Sequence, residues 1–148
     1  MEVWPVRMTT IGAASTEEPG IIVHLSGRRS WQGFLQRLLM GSFLHGKGFL
    51  PPPFYATMSE KIDPRQAKLA QGLGVFEGKR GKFYPMAGMA KGDIIEDVWL
   101  GRRLQVERRI SDGMLHAVWS DTGEEPMQLL TRWYGFSFTF PGCDVWER

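Results

Sequence analysis

From residue 71 to residue 123, short runs rich in β-branched and aromatic residues are separated by glycine turns, and this punctuation limits the fold more than any other feature of the chain. Glycine reaches the positive φ angles that tight reversals require, while β-branched and aromatic side chains suit a pleated surface. Leu73 to Glu77, the turn Gly78-Lys79-Arg80-Gly81 and Lys82 to Tyr84 form one candidate hairpin. Ile94 to Trp99, a Leu100-Gly101 turn and Arg102 to Ile110 form a second. Asp112-Gly113 then reverses the chain into Met114 to Trp119, and Asp121-Thr122-Gly123 reverses it again. The expectation is a mainly β, β-rich α+β fold built as an antiparallel meander of short strands.

Composition agrees with that class. Eighteen glycines, nine prolines and six tryptophans in 148 residues disfavour long helices, and the length suits a single globular domain over 1–148. One amphipathic helix is expected near residues 30–41. Ser30 supplies a cap, Trp31, Phe34, Leu35, Leu38 and Leu39 fall on one face, and Gly41 ends it. Ile21 to Leu25 reads as a buried strand, with His24 packed in the core. Residues 42–64, rich in proline and aromatics, read as a long ordered loop. Residues 132–140 fit two periods. Phe136, Phe138 and Phe140 alternate as a strand would, and Trp133, Phe136 and Phe140 suit a helical face. Asp144-Val145-Trp146 reads as an edge strand after Pro141-Gly142.

A formal net charge of +2 makes nucleic acid no necessary partner, so no specific nucleic-acid binding is expected. The longest apolar runs fall far short of the roughly 20 residues that span a bilayer, and Met1 to Thr16 lacks the apolar core of a secretory signal. Read literally, the chain is cytoplasmic, with no transmembrane segment but a surface compatible with peripheral association. Cys143 is the single cysteine, which excludes an intrachain disulfide or a multi-cysteine metal site. Its neighbour Asp144 disfavours a thiolate nucleophile.

His24, His45 and His116 lack metal-ligand spacing, so neither a metal nor a cofactor is expected. Met86, Met89, Met114 and Met127 read as core filling. Neither a nucleophile elbow nor a phosphate-gripping loop occurs. Of the acidic cluster Asp93, Glu96 and Asp97, alternation sends Glu96 and Asp97 to opposite faces. Lys79, Arg80, Lys82, Arg102, Arg103, Arg108 and Arg109 fall on adjacent hairpins and form a candidate basic patch.

The series Asp63-Pro64-Arg65, Leu73-Gly74-Val75, Phe83-Tyr84-Pro85-Met86, Ile94-Ile95-Glu96-Asp97 and Leu100-Gly101-Arg102-Arg103-Leu104 continues through Gly123 and Arg132-Trp133-Tyr134-Gly135-Phe136. It closes with Phe140-Pro141-Gly142 and Asp144-Val145-Trp146. In order and spacing it resembles the C-terminal half of an uncharacterised bacterial family, domain of unknown function 3179. The resemblance covers residues 63–146 and implies a β-rich fold. Because members of that family are often exported, it also implies work outside the cytoplasm. The Cys-x-x-Cys that relatives carry upstream has no counterpart here, and the family supplies no activity to inherit.

Two functions follow as expectations. The first is a non-catalytic accessory protein that docks on a protein partner or larger complex through Phe49, Phe54, Tyr55, Arg102 and Arg103. The second is a small-ligand or redox-cofactor binding protein, or an enzyme, with a pocket bordered by Tyr84, Asp97, His116 and Trp133.

Overall fold

A computed structural model describes residues 8–22 and 63–147. The expected helix at 30–41 lies outside the described residues, as do 42–62 of the loop, His24 and His45. Of the expected strand at 21–25 only Ile21 and Ile22 are described. Both are exposed and outside any strand, because no described element covers them.

The fold is β-rich. Helix α1 (Ile11–Glu17) precedes strands β1 (Gln71–Glu77), β2 (Arg80–Pro85), β3 (Ile94–Trp99), β4 (Arg102–Arg108), β5 (Leu115–Trp119) and β6 (Gln128–Arg132). Helix α2 (Trp133–Thr139) and a short β7 (Asp144–Val145) follow. One sheet has the order β6-β1-β2-β7 and the other β3-β4-β5. All pairings are antiparallel except β2 with β7.

The turns anticipated from glycine set the registers. Gly78, with φ 58°, closes the β1–β2 hairpin so that Glu77 faces Arg80, which makes the turn two residues shorter than the sequence suggests. At the β3–β4 turn both central residues have positive φ, Leu100 at 53° and Gly101 at 78°, matching the right-handed twist of the flanking strands. A leucine in that region is unfavourable, and Leu100 offsets the cost by packing its side chain against the core.

The two sheets face each other over one core of Leu73, Val75, Tyr84, Ile95, Trp99, Leu104, Val106, Leu115, Ala117 and Trp119. Edge strand β6 lies beside edge strand β5, while β2, which also pairs with β7, reaches β3 through its side chains. At the β5–β6 seam the Gln128 amide does what a strand would do: it accepts from Ala117 N–H at 2.8 Å and donates to Ala117 C=O at 3.2 Å. At the β2–β3 seam Asp97 accepts from the Tyr84 hydroxyl at 2.8 Å and pairs with Lys82 Nζ at 2.6 Å. The six strands β1 to β6 therefore run in chain order around a barrel-like ring, up and down, with the β1–β2, β3–β4 and β5–β6 connections at one end and the β2–β3 and β4–β5 connections at the other.

A second cluster, Phe83, Trp133, Phe136 and Cys143, lies between the outer face of β1 and β2 and α2, which supplies Trp133 and Phe136. The helical face won the competition in residues 132–140 because Trp133 and Phe136 both find cover there. Glycine makes the seat. Phe136 fills the place that a Cβ on Gly74 would occupy, and a Cβ on Gly81 would stand 2.9 Å from its ring. β1 thus alternates core residues Leu73 and Val75 with bare backbone, and a helix settles on the bare side.

Candidate ligand-binding site

The two ends of the ring differ. At the end formed by the start of β1 and β5 and the close of β2, β4 and β6, a cleft of about 460 Å³ opens. Met8, Met86, Met114 and Leu130 give it apolar walls, and Lys91, Arg108 and Arg132 bring cationic side chains to it. A volume of this order matches small-molecule sites, which also favour the mouths of β-barrels.

Local structure explains how each wall is held. Met86 N–H donates to Gln71 C=O at 2.9 Å, continuing the β1–β2 ladder to the rim. Gly113, with φ 71°, turns β4 into β5, and a Cβ there would stand 2.9 Å from Lys91 Cε, so the lysine stem crosses bare backbone on its way to the cleft. The N-terminal segment closes one side. Arg109 donates to the Met8 carbonyl at 2.8 Å and Thr9 Oγ1 to Asp112 at 2.8 Å, while Thr10 caps α1 just beyond.

The charges at the cleft are unequally compensated. Burial would raise the Asp112 carboxyl, yet Met114 N–H, the Thr9 hydroxyl and Arg109, 2.5 Å away, hold it below the ordinary carboxylate range. Its negative charge is spent on Arg109. Arg108 donates instead to two neutral carbonyls, Gly113 at 3.0 Å and Met89, and among the described residues it forms no ion pair. Lys91 likewise pairs with no carboxylate among the described residues. Arg132 donates to the Leu69 carbonyl at 3.2 Å.

Of the four residues expected to border one ligand pocket, the structure joins two. Tyr84 and Asp97 meet at the β2–β3 seam with Lys82, where burial and then the Asp97 carboxylate push the Tyr84 hydroxyl far above the ordinary tyrosine value. Burial opposes ionisation of Asp97, but Lys82 and Tyr84 outweigh it and lower its pKa. His116 lies at the opposite seam, its Nε2 2.9 Å from Glu125 Oε1 without the alignment of a hydrogen bond. Trp133 opens α2, donating its indole N–H to the Asp63 carbonyl at 2.8 Å, with Arg65 over its ring. Cys143 is buried beside that cluster, and burial raises its thiol pKa.

The expected docking residues divide as well. Phe49, Phe54 and Tyr55 lie outside the described residues. Arg102 stacks on Trp119 at 4.2 Å and pairs with Asp121 at 3.0 Å, whereas Arg103 is exposed on the outer face. Three of the seven residues of the candidate basic patch are taken up in such pairings: Lys82 on Asp97, Arg102 on Asp121, Arg109 on Asp112. Among the described residues no group of three His, Cys, Asp or Glu side chains is placed to hold a metal ion.

The cleft itself escaped sequence reasoning. Met86 and Met114, expected to fill the core, line it, Met89 is in the core as expected, and Met127 is exposed. The available signal was Lys91 and Arg108 flanking two turns of the same hairpin stack, which place both at one end of the ring. Comparison with protein-family models, curated proteins and solved structures returned no match.

Proposed function

We propose that this chain is a non-catalytic binding protein that holds a small ligand in the cleft at the open end of its strands. The observation that carries this reading is the cleft: about 460 Å³, walled by Met8, Met86, Met114 and Leu130, beside Lys91 and Arg108, which pair with no carboxylate among the described residues. Methionine suits such a wall because its unbranched, polarisable side chain adapts to different apolar shapes. The two clusters that resemble chemistry, Tyr84–Asp97–Lys82 and Arg65–Trp133, bridge elements and are satisfied by their own partners.

A ligand in the cleft raises the melting temperature of the full-length protein, since binding to the folded state alone adds about 2.7 kcal/mol at one hundred times the Kd. A screen of small metabolites by thermal shift is expected to give hits that vanish in Met114→Trp, whose indole would occupy the cleft. Hits that survive that substitution would move the site elsewhere, and a panel without hits would count against the reading.

The docking function rests on a different observation. Ile94 and Val98 are 55% and 64% exposed on the outer face of β3, with Arg103 paired to Val98 across β4. An apolar pair beside an arginine suits a protein contact. Val98→Asp would then abolish co-purification of a partner from the host, and unchanged co-purification would reject this face.

A further inference from the structure

The charges around the cleft narrow the ligand class. We infer that the ligand is an amphipathic anion, with an acidic head group held by Lys91 and Arg108 and an apolar body lying along Met8, Met86, Met114 and Leu130. This rests on the cleft being the ligand site.

Arg108 is the most firmly held of these cations. It is half-buried, and its guanidinium is fixed by the Gly113 and Met89 carbonyls, which orient the charge without cancelling it. A cation taken partly out of water and paired only with neutral acceptors keeps an unspent attraction for an anion. Lys91 adds a second such charge, with its stem laid over Gly113 toward the same opening. Among the described residues one carboxylate lines the cleft, Asp112, and it does not compete. Its side chain is fully buried, and it is held by Arg109, the Thr9 hydroxyl and Met114 N–H. Among the described residues, therefore, cations without a carboxylate partner border a wall of methionine and leucine, and the complementary molecule has a negative end and an apolar end.

The opposite end of the ring shows how this fold treats a cation that has no ligand to meet. Arg102 there lies over the Trp119 ring, 4.2 Å from its centroid, and is paired with Asp121. Lys91 and Arg108 have neither kind of partner among the described residues.

Calorimetric titration of the full-length protein with decanoate and with decanol separates the head group from the apolar body. Decanoate is expected to bind at least about tenfold more tightly than decanol. Lys91→Met and Arg108→Lys are each expected to remove most of that difference while leaving decanol affinity unchanged. Unaltered melting temperatures would establish that both variants fold, and Lys91→Met, at an exposed side chain, keeps the test available if Arg108→Lys does not fold. Equal affinities for the two probes, or a preference that survives both substitutions, would overturn the anionic assignment and leave the ligand-binding reading standing. Binding of neither probe would overturn both. Inorganic phosphate matching decanoate would show that the apolar body contributes nothing, and co-sedimentation with phosphatidylglycerol vesicles without decanoate binding would assign the charges to a membrane surface; either result contradicts the inference.

Discussion

The two ends of the strand ring are made from similar materials and finished differently. At the end where β3 and β5 close, Trp99 and Trp119 stack with centroids 6.2 Å apart and planes 5° from parallel, and Arg102 covers the stack under its pairing with Asp121. At the end where they begin, the walls are methionine and leucine, and the cations Lys91 and Arg108 are oriented by neutral groups or stretched over a glycine. One end buries rigid aromatic area and neutralises its charge, which suits stability. The other keeps adaptable side chains and, in Lys91 and Arg108, cations without a carboxylate partner among the described residues, which suits a ligand. The same reversal chemistry, glycine at positive φ, serves both, through Gly101 and Gly113.

The largest break in that comparison would come from the closed end. Trp119→Ala is expected to lower unfolding free energy by about 3–5 kcal/mol, as measured by urea denaturation, because it empties a buried aromatic site and strips Arg102 of its stack. A loss under 1 kcal/mol would mean that this end does not carry the fold. Next is the β2–β3 seam. Asp97→Asn strands the Lys82 charge against Tyr84 and is expected to cost about 3 kcal/mol. Adding Lys82→Met should recover part of that loss, and a double-mutant cycle with no coupling would show that the pair does not hold the seam.

The pH dependence sharpens the same point. Asp97 has a folded pKa below the ordinary value of 3.8, so its contribution is present above that value and fades as pH falls through the lowered folded value. Tyr84 is shifted upward, so its contribution is complete below the ordinary value of 10.0 and declines as the pH rises beyond it. Denaturant midpoints that fall at both extremes in the parent protein, with the alkaline fall reduced in Tyr84→Phe, are the expected result. The smallest effects separate the two ends most cleanly. Arg102→Met should cost about 0.5–1 kcal/mol of stability and leave anion binding intact. Lys91→Met should change stability by less than about 0.5 kcal/mol and weaken anion binding. A reversed pattern would erase the distinction between the ends.

Local rules reached the meander and stopped short of what it encloses. Leu100-Gly101, Asp112-Gly113 and Gly123 mark their turns because positive φ has a residue signature, and Asp144–Val145 follows as the edge strand. β6 was missed because Gln128 to Arg132 carries little alternation. Its side chain at Gln128 works as a strand rung, a role set by a neighbour distant in sequence. The seat of α2 was also hidden, since Gly74 and Gly81 read as flexible points until Phe136 is placed over them. Alternation did send Asp97 inward and Glu96 outward, and the candidate pair Tyr84 and Asp97 came together. His116 and Trp133 went elsewhere because membership of a pocket depends on which strand ends share an end of the ring, and residue type does not encode that.

The most direct test of the central claim is an amide chemical-shift titration of the full-length, isotopically labelled protein with decanoate. Saturable shifts are expected to cluster at Gly72, Lys91, Arg108, Gly113 and Thr131 around the cleft, with the Trp99–Trp119 end unmoved. Shifts centred on Trp119 and Arg102, or spread along the exposed face of β3, would contradict it.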